Sequence, residues 1–146
     1  MRGRRAVNPA FLRSLNCGRE YSIDAACRRD IGSDIMQFKP LVWIGDSLER
    51  VRSFAPTARH RIGFELWEVQ QGNAPSDWKP MTTVGTGVQE LRVHSERAYR
   101  VLYVATFPEA IYVLHAFEKR SRKTPDTDKD LARTRLRNLI RERDRR

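Results

Sequence analysis

Arg92, Arg100, His115 and Lys119, with Arg120, Arg122 and Lys123 directly after them, fall on three strand-like segments and the basic run that follows. Their types suit chemistry on phosphate. Two arginines held side by side repel unless an anion lies between them, and a phosphate meets that need because guanidinium presents a planar fork of donors. Cleaving RNA without a metal asks for three things: a base for the 2′-hydroxyl proton, cations for the charge building on phosphate, and an acid for the leaving 5′-oxygen. His115, with an ordinary pKa near neutrality, suits either proton-transfer role. Lys119 and its neighbours suit charge stabilisation, or the base role where crowded cations lower a pKa. Tyr99, Tyr103, Tyr112 and Phe117 interleave with these cations, and Trp78 stands beside Lys79 in a loop; aromatic faces stack the splayed bases of single-stranded RNA. Each residue also has a plainer use. Glu90 or Glu96 can pair with the arginines, a histidine at a strand end is more often structural, and a loop Trp more often plugs the edge of a core. There is no Gly-rich phosphate loop, no metal-spaced His or Cys cluster and no G-x-S-x-G elbow, so neither metal nor cofactor is expected.

The segments that must position these residues are legible in outline. Val88–His94 alternates weakly; Tyr99–Ala105 and Ile111–Phe117 alternate strongly. The links between them are too short for helical crossovers, which predicts an antiparallel meander. Upstream, Lys39–Ile44 reads as a short strand. Asp46 with Glu49 resembles a capping box for a short helix to Phe54. A second helix has Pro56 in its first turn and Gly72 as its stop, with Ile62, Leu66 and Val69 on one face. Residues 72–87 read as a loop rich in Gly, Pro, Ser and Thr. From about residue 125 a last helix follows, with Thr124 or Thr127 as cap, Pro125 in the first turn and a stripe of Ala132, Leu136, Leu139 and Ile140. The predicted class is α+β: two N-terminal helices packed on one face of a twisted antiparallel sheet, plus a C-terminal helix. The other sheet face is then free as a working surface. The last helix can pack on its own domain or on a partner.

The chain's 146 residues suffice for one domain with a real core. Its net charge of +10 opposes compaction, so it points to a polyanionic partner: nucleic acid first, an anionic membrane surface second, an acidic protein third. Residues 1–36 lack sustained periodicity and read as a poorly ordered extension, with at most a short helix near Ala10–Leu15. They carry seven of the 28 basic residues and four of the 18 acidic ones, leaving 21 and 14, net +7, to residues 37–146. The basic character therefore belongs to the folded part. Met36 precedes the first convincing strand, so a translation start there is one expectation, and no apolar h-region marks a secretory signal. Cys17 and Cys27 make neither a disulfide framework nor a zinc site, which fits a reducing cytoplasm. No apolar run approaches the roughly eighteen residues needed to span a bilayer.

The strings WIGDSLERVRSF, GFELWEVQQGNAPSDWKPMTTVGTGVQELRV, AYRVLYVATF and IYVLHAFEKRSRKTP together resemble the HigB-like, phage-derived branch of the RelE/ParE toxin superfamily, from Lys39 to Leu139. The resemblance implies a RelE-like toxin domain over residues 37–146 and the toxin of a type II toxin–antitoxin system. It implies a cognate antitoxin, in this branch usually a helix-turn-helix DNA-binding protein. RelE-like members cleave mRNA in the ribosomal A site, which makes mRNA and the ribosome the expected partners. ParE-like members instead poison DNA gyrase, and a degenerate member would only bind its antitoxin. The Arg of the AYRV motif, Arg100, matches the phosphate-binding Arg of the nucleases. The post-sheet basic cluster corresponds to Lys119 through Lys123, and His115 in LHAF is shared with this branch. The expected catalytic set is Arg100, His115, Lys119 and Arg92, and the expected RNA-binding set is Arg120, Arg122, Lys123, Tyr99, Phe117, Trp78 and Lys79.

Overall fold

Apolar residues at both parities of 99–105 and 111–117 put these two strands at the centre of the molecule, buried on both faces. The computed structural model describes residues 38–146. The expectations for the N-terminal extension, its helix, its cysteines and a start at Met36 lie outside the described residues. The chain runs β1 (Leu41–Trp43), α1 (Ser47–Ser53), α2 (Pro56–Gln70), β2 (Trp78–Pro80), β3 (Val88–His94), β4 (Ala98–Val104), β5 (Ile111–Lys119) and α3 (Asp126–Asp144). The strands form one sheet in the order β1-β5-β4-β3-β2. The β3–β4–β5 meander is antiparallel, as its short links require. The sheet as a whole is mixed, because β1 pairs with β5 in parallel, Leu41 opposite Ile111 and Trp43 opposite Val113. An all-antiparallel sheet is thus corrected: α1 and α2 carry the chain away between β1 and the meander, so β1 is free to take either direction. The stretch expected to be only a loop contains β2, an edge strand antiparallel to β3. Pro80 is tolerated there because an edge strand leaves one row of its backbone groups unpaired.

One sheet face meets α1 and α2. Leu91, Val93, Tyr99, Val101, Tyr103, Ile111 and Val113 pack there against Val51, Ala58, Ile62, Leu66 and Val69, the helix stripe legible in the sequence. Gly72, at φ +86°, ends α2 in a conformation that costs glycine little.

The second face is covered, not free. Leu102, Val104, Tyr112, Leu114 and Phe117 pack against Met81, Val84 and three residues of α3, Ala132, Leu136 and Leu139. A register shift at Leu102/Tyr103, where His115 and then Val113 are the partners, makes room for Leu114 as an extra residue. The bulge changes the parity of β5, so Tyr112 and Leu114 before it share a face with Phe117 after it. α3 therefore docks on its own domain, and the sheet lies between two helical layers. Only the end of the sheet beyond the N-terminus of α3 stays open on this side. Among the described residues no helix is long and apolar enough to cross a membrane.

Candidate nucleic-acid interface

β3 and β4 hold Arg92 and Arg100 directly opposite each other, a like-charge cross-strand pair that is unfavourable on its own. Glu90 answers it. This carboxylate is fully buried, with Oε1 3.3 Å from Arg92 Nε, 3.6 Å from Arg100 Nε and 3.7 Å from Lys79 Nζ. Lys79 reaches it because β2 places Lys79 opposite Glu90. Its second oxygen accepts a hydrogen bond from the Thr124 hydroxyl, on the connection to α3. Both arginines thus use the same intramolecular acid, and one acid serves three cations. Asp77 adds a second carboxylate at the border, 3.8 Å from Arg92 Nη1 and 3.7 Å from His94 Nε2.

Lys119 closes the group from β5, opposite Ala98 and two residues beyond Phe117, the residue opposite Arg100. Burial pushes its pKa down, and the Arg100, Lys79 and Arg92 charges push it further while Glu90 opposes them. Arg100 is 6% exposed, and its Nη1 donates to the Tyr99 carbonyl. Its Nε lies buried with no hydrogen-bond partner among the described residues. Lys79, Arg92, Arg100 and Lys119 therefore gather round Glu90 and Asp77 with positive charge in excess, at the uncovered end of the sheet. Arg120, Arg122 and Lys123 continue this rim as exposed residues of the β5–α3 connection.

The aromatic residues divide differently. Tyr99 is buried on the opposite sheet face, with its ring 4.7 Å from that of Phe54. Phe117 is buried and stacked on His115 at 5.5 Å. Neither ring is placed to stack on a base. Trp78 stays exposed, but it faces the α2 side, since alternation along β2 turns it away from Lys79.

His115 is also set apart from the rim. It lies opposite Leu102, one layer further in than Phe117, and is fully buried. Its Nε2 is 2.7 Å from Asp128 Oδ1, and its Nδ1 is 3.5 Å from Arg135 Nη1. An arginine N–H only donates, so Nδ1 accepts and the ring proton sits on Nε2, facing Asp128. Arg135 also donates to the Leu114 carbonyl and, through Nη2, to Asp46. Asp46 makes no side-chain cap for α1; its carboxylate takes Arg50 and Arg135 instead, which hold its pKa down at about 2. The result is a clamp, Asp46–Arg135–His115–Asp128, tying α3 to β5 and to the start of α1. Burial pushes the His115 pKa down, with Asp128 opposing.

Arg135, and Asp128 as the partner of His115, are not singled out by the sequence; Thr124 reads there as a helix cap, and Glu90 as a partner for the arginines but not as the hub of three cations. Glu90 had a signal: a carboxylate between Val88 and Arg92 in a strand whose neighbours are apolar. The others depend on how α3 docks.

The family model for Phage derived protein Gp49-like (DUF891) matches residues 49–137, well over half of the chain. The chain belongs to the phage-derived Gp49-like family. The match takes in the cation rim and, of the clamp, His115, Asp128 and Arg135, but not Asp46. The Gp49-like family is RelE-toxin-like, which points to the toxin of a toxin–antitoxin pair and to an antitoxin as partner. No curated protein matches this Gp49-like chain.

Proposed function

We propose that this chain is a HigB-like toxin of a type II toxin–antitoxin system, acting in the cytoplasm as an endoribonuclease on mRNA at the ribosome. The observation that carries this reading is the Arg92–Arg100 pair, opposed in register and over-supplied with cations by Lys79 and Lys119 around a single buried Glu90. Such a site gains by admitting an anion, and a backbone phosphate fits between the two guanidinium groups. Arg100 and Arg92 hold the scissile phosphate and stabilise the charge that builds on it. Lys119, with its pKa pushed down, takes the 2′-hydroxyl proton in its neutral form. The 2′-oxygen attacks phosphorus, the bond to the 5′-oxygen breaks, and solvent at the open rim protonates the leaving oxygen. Arg120, Arg122 and Lys123 grip neighbouring phosphates of the message or ribosomal RNA. His115 acts through the clamp that seats α3 beside the rim, and proton transfer falls to Lys119 instead. A helix-turn-helix antitoxin neutralises the toxin.

Mapping transcript ends after induction without antitoxin tests this reading. New 5′ ends within open reading frames are expected. DNA breaks without new RNA ends would point to a gyrase poison instead, and no growth arrest at all would point to a member that only binds its partner.

A further inference from the structure

On the α2 side of the sheet a groove of about 400 Å³ runs along the edge strand β2, between the end of α2 and Gln89 of β3. Trp78 forms one wall, 39% exposed, and Tyr103 belongs to the floor. Four amide side chains line it, and three are occupied. Gln70 donates to the Lys39 carbonyl, Gln71 to the Trp67 carbonyl and Asn73 to Glu68. Of the four, only the Gln89 amide has no hydrogen bond to another of the described residues. The one charged lining residue, Lys39, is committed to the carbonyls of Ala105 and Phe107 at 2.7 and 3.1 Å. Tyr103 also keeps a buried hydroxyl without a partner among the described residues.

An exposed indole, a free amide and walls without available charge suit a neutral planar heterocycle with hydrogen-bonding edges. We infer that this groove is a nucleobase subsite: Trp78 stacks on one base of a single-stranded RNA and Gln89 reads its edge. β2 is one of the two edge strands of the sheet, and its successive residues Trp78 and Lys79 face opposite sides. A strand passing round that edge presents phosphate to Lys79, Arg92 and Arg100 on one face and a nearby base to Trp78 on the other. Stacking tolerates any base, whereas a glutamine amide with both donor and acceptor discriminates among them. Sequence preference at one position then resides in Gln89, remote from the phosphate chemistry.

The inference rests on the proposed RNA-binding reading, so its test separates the two. Affinities of the full chain for short labelled homopolymers of A, C, G and U are measured for the parent, Trp78→Ala, Trp78→Phe, Gln89→Ala and Arg100→Ala, with circular dichroism as the fold control. Trp78→Ala is expected to weaken binding about tenfold, with Trp78→Phe recovering most of the loss. Gln89→Ala is expected to narrow the spread among the four homopolymers, and Arg100→Ala to weaken all four alike. Trp78→Ala and Gln89→Ala binding with parental affinity and ranking, while Arg100→Ala weakens, would overturn the base subsite and leave the phosphate rim standing. Equal losses in Trp78→Ala and Trp78→Phe would also overturn it. A parent that binds none of the four, or an Arg100→Ala chain that binds them all as the parent does, would bring down the RNA reading and the subsite with it.

Discussion

Two clusters on the same sheet face use the same ingredients and end in opposite states. Under α3, Asp46 and Asp128 bracket Arg135 and His115, each carboxylate meets a cation or a ring N–H, both ring nitrogens of the buried His115 are engaged, and α3 supplies two of the four residues. At the rim, Glu90 and Asp77 face Lys79, Arg92, Arg100 and Lys119, one guanidinium nitrogen is left without a hydrogen bond, and no helix covers the group. Matched charge that is buried makes structure; surplus charge that stays reachable makes a place for an anion. The histidine, the residue most readily assigned to chemistry by type, belongs to the first cluster.

Substitutions separate the clusters. The largest effect on stability is expected at the hub: Glu90→Gln leaves the cations mutually repelling around a buried neutral group and should cost about 3 kcal/mol. Urea unfolding measures this, and added inorganic phosphate should restore more stability to the variant than to the parent. An unfolding midpoint unchanged by Glu90→Gln would remove the hub. Next, His115→Ala should cost about 2 kcal/mol, through the cavity and the unpaired Asp128 and Arg135. The parent should also lose stability as pH falls below about 6.5, because the folded-state pKa of His115 lies below its unfolded value and protonation favours the unfolded chain. The variant should lack that part of the slope. Asp46→Asn is smaller. With the folded pKa at about 2, the carboxylate contributes above its unfolded value and its contribution disappears as pH falls from about 4 towards 2. Partial exposure screens it, so about 1 kcal/mol is expected at neutral pH. The smallest effect on folding belongs to the exposed run. Lys123→Ala should change stability by less than about 0.5 kcal/mol, yet lower the salt slope of RNA binding by about one.

The residues that could be read in advance were those whose structure is decided locally. Ile62, Leu66 and Val69 with Pro56 and Gly72 mark α2 through helical spacing and end signals, and alternation marks β3, β4 and β5. Runs such as YRVLYVA and IYVLHAF are also apolar at both parities. Apolar residues at both parities mean strands buried on both faces, so a free working face was never available. β1 and β2, three residues each, hold too little pattern to declare a pairing direction, and Pro80 disguises β2 as loop. Arg92 and Arg100 were recognisable as candidates, but their meeting depends on register, which a hairpin's residues leave open. The burial of His115 was not legible for a longer-range reason: Asp128 and Arg135, which contact it, arrive 13 and 20 residues later on a helix whose docking no local pattern reveals.

The rim, and not the clamp, is the proposed working end of this molecule, and Arg100→Ala tests that most directly. Its removal relieves the Arg92 repulsion while Arg92 and Lys79 still neutralise Glu90, so the fold should persist. Cleavage of message on programmed ribosomes by the purified variant, assayed beside its urea unfolding curve, should fall at least about a hundredfold, with stability within about 1 kcal/mol of the parent. Parental cleavage by a folded Arg100→Ala chain would contradict the assignment.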